Sequence, residues 1–289
     1  MPGTRESYFT TSDDTHLYFE DHGAGKPIVL VPGFVSSTAF FAKNIEGLAR
    51  TNRVITFDPR GQGSSSKGLH GHTIARNAQD IKELLDFLDV QDATLIGWSM
   101  SGQTVLRYHM LFGEHRIDSI GLLDCPLGAM HDEEWNAHHL RGFNMDAFNG
   151  SLAMSYNDNA GYCAYFASMV WAGNDDSMIE WSTQEFLKTP AWIAFAIYSD
   201  LVFQNGYEML PRVTVPVLFM GADSAVTANG KALATTHYPQ HIDPALYRES
   251  HTFETGGHVF FYCNPEEFNQ KVAAFAATVA GQRAQKCRA

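Results

Sequence analysis

"ATLIGWSMSG", Ala93 to Gly102, decides how this chain folds. Its first half is a short apolar run of the kind that forms a buried strand. Its second half crowds small residues around a hydroxyl at Ser99. A serine hydroxyl is a poor nucleophile until a base takes its proton, and it must stand clear of its own backbone to be reached. A sharp strand-to-helix turn meets both needs, but its strained backbone tolerates only small neighbours. Gly97 stands two residues before Ser99, and Ser101 and Gly102 follow, with Ser101 where the G-x-S-x-G pattern has its second glycine. The turn also sets Ser99 at a helix N-terminus, whose partial positive charge favours developing negative charge. Taken alone, the stretch also fits an ordinary serine in a tight turn, so its partners must be sought elsewhere in the chain.

Outward from this stretch, strand-like runs alternate with helical patterns. "PIVLVPG" (Pro27–Gly33), "RVITFD" (Arg53–Asp58), "ATLIG" (Ala93–Gly97), "DSIGLLD" (Asp118–Asp124) and "VPVLFMG" (Val215–Gly221) read as strands. Continuous Val/Ile/Leu runs suit strands covered on both sides. "HLYFEDHG" near the start is expected to add an antiparallel hairpin strand at one edge. Apolar residues at three- and four-residue intervals predict helices over about 73–88, from about Ser101 to Gly113, and after Asn264-Pro265. The tail after about Gly281 reads as frayed. The expected class is α/β, a mostly parallel central sheet with helices on both faces.

The rhythm breaks between about Pro126 and Arg212, which lacks a clear strand and is rich in Trp, Tyr, Phe and Met. We read 126–212 as a helical cap inserted into one core domain built from 1–125 and 213–289. Trp135, Tyr156, Tyr162, Tyr165, Trp171, Trp181, Trp192 and Tyr198 fall in it, with Met130, Met145, Met154, Met169 and Met178. These side chains would line an apolar pocket, although at least half are expected to form the cap's own core.

With 289 residues the chain can bury a large core, and its 18% charged residues lie below the roughly 25% typical of soluble domains. A net charge of −12 without a basic stripe argues against nucleic acid or an anionic membrane as partner. The start has neither a basic n-region nor an apolar h-region, and no apolar run approaches the ~18 residues of a membrane span. A cytoplasmic location is therefore expected. Cys125, Cys163, Cys263 and Cys287 show no paired spacing, and the adjacent His138-His139 lacks the i, i+4 spacing that places two ligands on one helical face. No metal site is expected.

Four motifs in order resemble the α/β-hydrolase superfamily. "VLVPGF" (Val29–Phe34) resembles its oxyanion-hole strand end, with Pro32 in place of the usual histidine. "FDPRGQGSSS" resembles its Asp-x-Arg-Gly-x-Gly-x-Ser turn, with Asp58, Arg60, Gly61, Gly63 and Ser65 in place. As a phosphate cradle that turn would lack the P-loop lysine. "GWSMSG" resembles the nucleophile elbow, and "ETGGHVFFYCNPEEFN" the histidine loop and final helix. The resemblance implies Ser99 as nucleophile, His258 as general base and the backbone amides of Phe34 and Met100 as oxyanion donors. His258 as a loop histidine satisfied by neighbours, and Trp98 as packing, are the plainer readings.

The triad acid is not settled by motif. The superfamily commonly places it three residues beyond the glycine that ends the seventh strand; here that residue is Ser224, and Asp223 comes one early. Haloalkane dehalogenases and some lactonases place it after the preceding strand. Asp124 lies there, 25 residues after Ser99. A buried acid closing so apolar a strand needs a partner, and a catalytic histidine is one. We favour Asp124, with Asp223 as the alternate; Asp124 as a loop cap is the structural alternative.

The resemblance implies a serine hydrolase that cleaves an ester or lactone bond of a small hydrophobic substrate through an acyl-enzyme, with no cofactor. C–C bond hydrolysis or perhydrolysis would use the same triad. A ligand receptor on the same scaffold, with slow turnover and a protein partner, is the alternative of a different class. A homodimer is left open.

Overall fold

The computed structural model describes residues 5–129 and 144–286. Met130, Trp135, the His138-His139 pair and Cys287 lie outside the described residues. Eight strands form one sheet: β1 (Arg5–Thr10), β2 (His16–Gly23), β3 (Lys26–Val31), β4 (Asn52–Phe57), β5 (Ala93–Trp98), β6 (Ile117–Leu123), β7 (Val217–Gly221) and β8 (Arg248–Thr252). Their order is β1-β2-β4-β3-β5-β6-β7-β8. β1/β2 and β2/β4 pair antiparallel, and every other neighbouring pair is parallel.

The period of two along each strand splits the core into two layers. Ile28, Leu30, Val54 and Ile96 face one layer, with Phe268, Val272 and Phe275. Val29, Val31, Ile55 and Leu95 face the other, with Ile81, Leu84 and Val105. The first layer includes side chains of the C-terminal helix (Pro265–Lys286); the second is filled by α2 (Ile74–Phe87) and α3 (Ser101–Phe112). This two-sided cover explains why β5 and β6 are buried along their whole length.

"HLYFEDHG" is β2, the inner strand of an antiparallel hairpin at one edge of the sheet, with β1 as the outermost strand. The expected fraying after Gly281 is not found: the helix runs on to Lys286. Alanine, glutamine and arginine are good helix formers, and Arg283 NH2 pairs with Asp92 at 2.9 Å, tying the last turns to the loop before β5.

The Asp58–Ser65 turn is a structural knot rather than a ligand cradle. Asp58 Oδ1 accepts from the Thr38 amide at 2.7 Å and Oδ2 from the Ser64 amide at 2.6 Å. Burial pushes the Asp58 carboxyl up to about 6. Arg60 is buried and forked twice: Nε and NH2 donate to Asp80 at 2.7 and 2.8 Å, and NH1 and NH2 donate to Asp13 at 2.9 and 3.0 Å. Removing one member of such a cluster strands the others in low dielectric. Arg60→Ala is expected to lower unfolding free energy by about 3–5 kcal/mol in urea denaturation. A loss below about 1 kcal/mol, the range of a surface pair, would contradict this.

Among the described residues between β6 and β7 lie four longer helices: α4 (Met145–Asn157), α5 (Asn159–Val170), α6 (Ser177–Leu187) and α7 (Ala191–Val202). Hydrogen bonds help fasten α6, α7 and the turn after it to the sheet and its flanking elements. Ser37 Oγ donates to Glu185 at 2.6 Å, the Ile74 amide donates to Asp200 at 2.7 Å, and Arg107 donates to Gln204 at 2.7 Å. α4 buries little besides Phe148 and Ser155. Among the described residues no helix is long and apolar enough to cross a membrane.

Candidate active site

Ser99 follows β5 with φ +56°, a left-handed backbone that a non-glycine residue holds only when its surroundings fix it. The Ser99 amide donates to the Leu123 carbonyl at 2.9 Å, which fastens the turn to the end of β6. Two flanking positions must be glycine. A Cβ on Gly97 would sit 2.2 Å from the Ser101 carbonyl oxygen, and one on Gly102 would sit 2.2 Å from Cys125 Sγ. Ser101 has no such conflict, and its hydroxyl donates to the Pro32 carbonyl, binding the turn to the segment that carries Phe34. The departure from a second glycine at 101 thus adds a hydrogen bond. Gly33 lies directly beside the serine: a Cβ on it would stand 3.1 Å from Ser99 Cβ.

His258 is carried by a short turn, Gly257–Val259, behind Gly256 at φ +93°. Its Nδ1 lies 2.6 Å from Asp124 Oδ2, and both side chains are buried. Asp124 follows β6 at φ +44°, and its amide donates to the Met220 carbonyl at 2.8 Å. Complete burial pushes its carboxyl above the ordinary carboxylate range, and the His258 imidazole is the foremost group opposing that rise. Ser224 Oγ stands 3.5 Å from Asp124 Oδ2. A carboxylate on Nδ1 favours the tautomer with the proton there, which leaves Nε2 as the acceptor. Nε2 is buried and has no hydrogen-bond partner among the described residues.

The structure brings Asp124 and His258 together and leaves Asp223 apart. Asp223 is exposed, and its Oδ1 accepts from the Lys231 amide at 3.1 Å. Trp98, read from sequence as packing, does more. Its Nε1 donates to the His258 carbonyl at 2.9 Å, with the two rings 5.3 Å apart. The turn bearing Ser99 and the turn bearing His258 are therefore directly bonded. Nothing in the local sequence of Trp98 signals this, because its partner lies 160 residues away.

Ser99 opens into a cavity of about 220 Å³ whose walls include Phe34, Met100, Tyr162, Phe166, Met169 and Tyr198. No charged side chain lines it among the described residues. Among the described cap methionines, the expectation of lining the pocket holds for Met169. Met145 and Met154 are exposed, and Met178 packs at the margin of the core. Trp171 is likewise core, its Nε1 donating to Ser182 at 2.6 Å. The amides of Phe34 and Met100 donate no hydrogen bond among the described residues, and Met100 immediately precedes α3. Among the described residues no group of three or more His, Cys, Asp and Glu side chains is placed to hold a metal ion.

Known proteins fit this architecture. The chain is 32% identical over 226 residues, 72% of its length and 77% of the relative's, to a Synechocystis protein with the provisional name non-heme chloroperoxidase. A non-heme haloperoxidase of Rhodococcus erythropolis is 30% identical over 144 residues, about half of each chain. Among solved structures, an esterase from Exiguobacterium antarcticum superposes with a TM-score of 0.82 at 21% identity, over 94% of this chain and all of that one. A bromoperoxidase from Bacillus anthracis superposes at 0.81 and 23% identity, over 94% and 99%. The sequence profile described as the alpha/beta hydrolase fold matches residues 26–265, most of the chain. The chain belongs to the α/β-hydrolase superfamily.

Proposed function

We propose that the protein is a serine hydrolase that cleaves an ester or lactone bond of a small, uncharged, largely apolar substrate. One observation carries the reading: a buried Asp124–His258 pair bonded through Trp98 to the strained turn that presents Ser99 to a cavity, with Nε2 unengaged and no charged lining side chain among the described residues. Ser99 Oγ attacks the substrate carbonyl while its proton passes to His258 Nε2. Asp124 holds the imidazole and stabilises the imidazolium. The oxyanion is received by the amides of Phe34 and Met100. The imidazolium then protonates the leaving alkoxide, and a water molecule deprotonated by the same nitrogen releases the acid and restores Ser99. The cavity is smaller than the ~300–1,000 Å³ of pockets for drug-sized ligands, which supports a small substrate.

The test is a panel of p-nitrophenyl esters from acetyl to octanoyl, with γ- and δ-lactones followed by pH-stat. Turnover is expected, strongest for short acyl chains. No hydrolysis of any member would overturn the reading. A second activity, attack of hydrogen peroxide on the same acyl-enzyme to give a peracid and free Ser99, is favoured by the names of the chloroperoxidase and bromoperoxidase relatives.

In this mechanism Trp98 is a positioning residue. Trp98→Phe keeps most of the ring and deletes only the N–H that reaches the His258 carbonyl. A lost buried hydrogen bond of about 1–3 kcal/mol predicts a fall of roughly 5- to 150-fold in kcat with KM little changed. A rise in KM at constant kcat would mean that Trp98 only shapes the pocket.

A further inference from the structure

The cap side of the cavity carries a feature that ester cleavage does not require. Its floor, where Phe34 and Met100 flank Ser99, is apolar, but its cap wall presents hydroxyls. Ser151 on α4, Tyr162 on α5 and Tyr198 on α7 line the cavity together. The same three, with Phe34, also line a smaller hollow of about 10 Å³, where they are joined by Ser155. Ser155 is 4% exposed, and its Oγ is buried without a hydrogen-bond partner. Tyr162 is half-buried, and no hydrogen bond of its hydroxyl is found among the described residues. Burial raises that hydroxyl above the ordinary phenol range, so it remains a neutral donor at physiological pH. Ser151 lies close enough to the Tyr198 hydroxyl to oppose the rise that burial gives it.

A protein that needed only an apolar pocket would carry phenylalanine and alanine at these positions, since an unpaired hydroxyl in an apolar wall is destabilising. The hydroxyls are borne by three different helices, so no single helix's local bonding accounts for them. Their chemistry also limits what they could receive. They are neutral groups that both donate and accept, in a cavity without a charged lining residue among those described, so a carboxylate, phosphate or ammonium would find no counter-charge.

We propose that this wall is a recognition site for a second, uncharged oxygen group on the substrate, a hydroxyl or ketone set away from the scissile carbonyl, with Tyr162 and Ser155 as its hydrogen-bonding side chains. The proposal rests on the hydrolase reading and narrows its substrate class to oxygenated esters or lactones. Sites that hydrogen-bond a substrate hydroxyl discriminate against the analogue lacking it far better than apolar pockets discriminate size.

The experiment uses isosteric pairs of phenyl esters in which a hydroxyl replaces a methyl, as in 3-hydroxybutanoate against 3-methylbutanoate, together with pairs altered at matched positions of the alcohol. The ratio of kcat/KM within each pair is read in the unaltered protein, in Tyr162→Phe and in Ser155→Ala, so that any general loss of activity cancels. At one or more positions the hydroxylated member is expected to be favoured by about 10-fold or more, and each substitution is expected to bring that ratio towards one. A ratio near one at every position with active enzyme, or a preference that survives both substitutions, would overturn the recognition site and leave the hydrolase reading standing. No turnover of either member of any pair would overturn both.

Discussion

Ser99→Ala is expected to lower kcat/KM on a short ester by about ten-thousand-fold or more, with the fold intact. In the proposed mechanism the substitution removes the atom that forms the acyl-enzyme. What remains is the contribution of the oxyanion amides and of a water activated by His258, and such residual catalysis over water is typically about 10³–10⁴-fold. Stability should hardly change. Ser99 already stands at φ +56°, and alanine at that position carries a similar backbone strain. The measurement is kcat/KM beside a thermal unfolding curve. Substantial activity with an unchanged melting temperature would show that the nucleophile is elsewhere.

Asp124→Asn is the second large effect, a loss of about 10³–10⁴-fold in kcat with the fold retained. The carboxylate oxygen lies 2.6 Å from His258 Nδ1, and both side chains are buried. An amide nitrogen turned towards Nδ1 would donate to it, move the imidazole proton to Nε2 and abolish the base. An amide oxygen turned the same way would keep the tautomer but lose the charge that stabilises imidazolium in this buried site. Asp223→Asn is the control. Asp223 is exposed and accepts from the Lys231 amide, a bond that an asparagine oxygen can also make. Activity within about twofold of the unaltered protein is expected for it, in line with the small effects of exposed substitutions. The reverse outcome, an active Asp124 variant and an inactive Asp223 variant, would reassign the acid.

The parts of this fold that could be read from sequence are those whose surroundings leave a mark on composition. β3 to β7 are buried along most of their length and appear as runs rich in Val, Ile and Leu. β8, "RESHT", lies at the sheet edge, is partly exposed and pairs on one side only, so neither periodicity nor hydropathy announces it. The turn around Ser99 is legible because backbone crowding restricts residue type at Gly97 and Gly102. The choice between Asp124 and Asp223 is not, because each follows a strand end closely. The deciding facts, the positive φ of Asp124 and the outward direction of Asp223, are conformational.

The cap shows the same limit. α7, "AWIAFAIYSDLV", is apolar almost all round, so no stripe tells which side meets the cavity and which the core. Met145 and Met154, expected to line the pocket, face solvent because α4 buries only a narrow face. Trp98 escaped notice for a different reason. A buried indole suggests packing, and only the three-dimensional arrangement reveals that its N–H reaches the carbonyl of His258.

The central claim is that Ser99 is an activated nucleophile. Intact-mass spectrometry after incubation with an active-site-directed fluorophosphonate, followed by peptide mapping, addresses it without knowledge of the substrate. The account predicts one adduct per chain, on the peptide that carries Ser99, and none in Ser99→Ala. An unmodified Ser99, or an adduct at another residue, would contradict it.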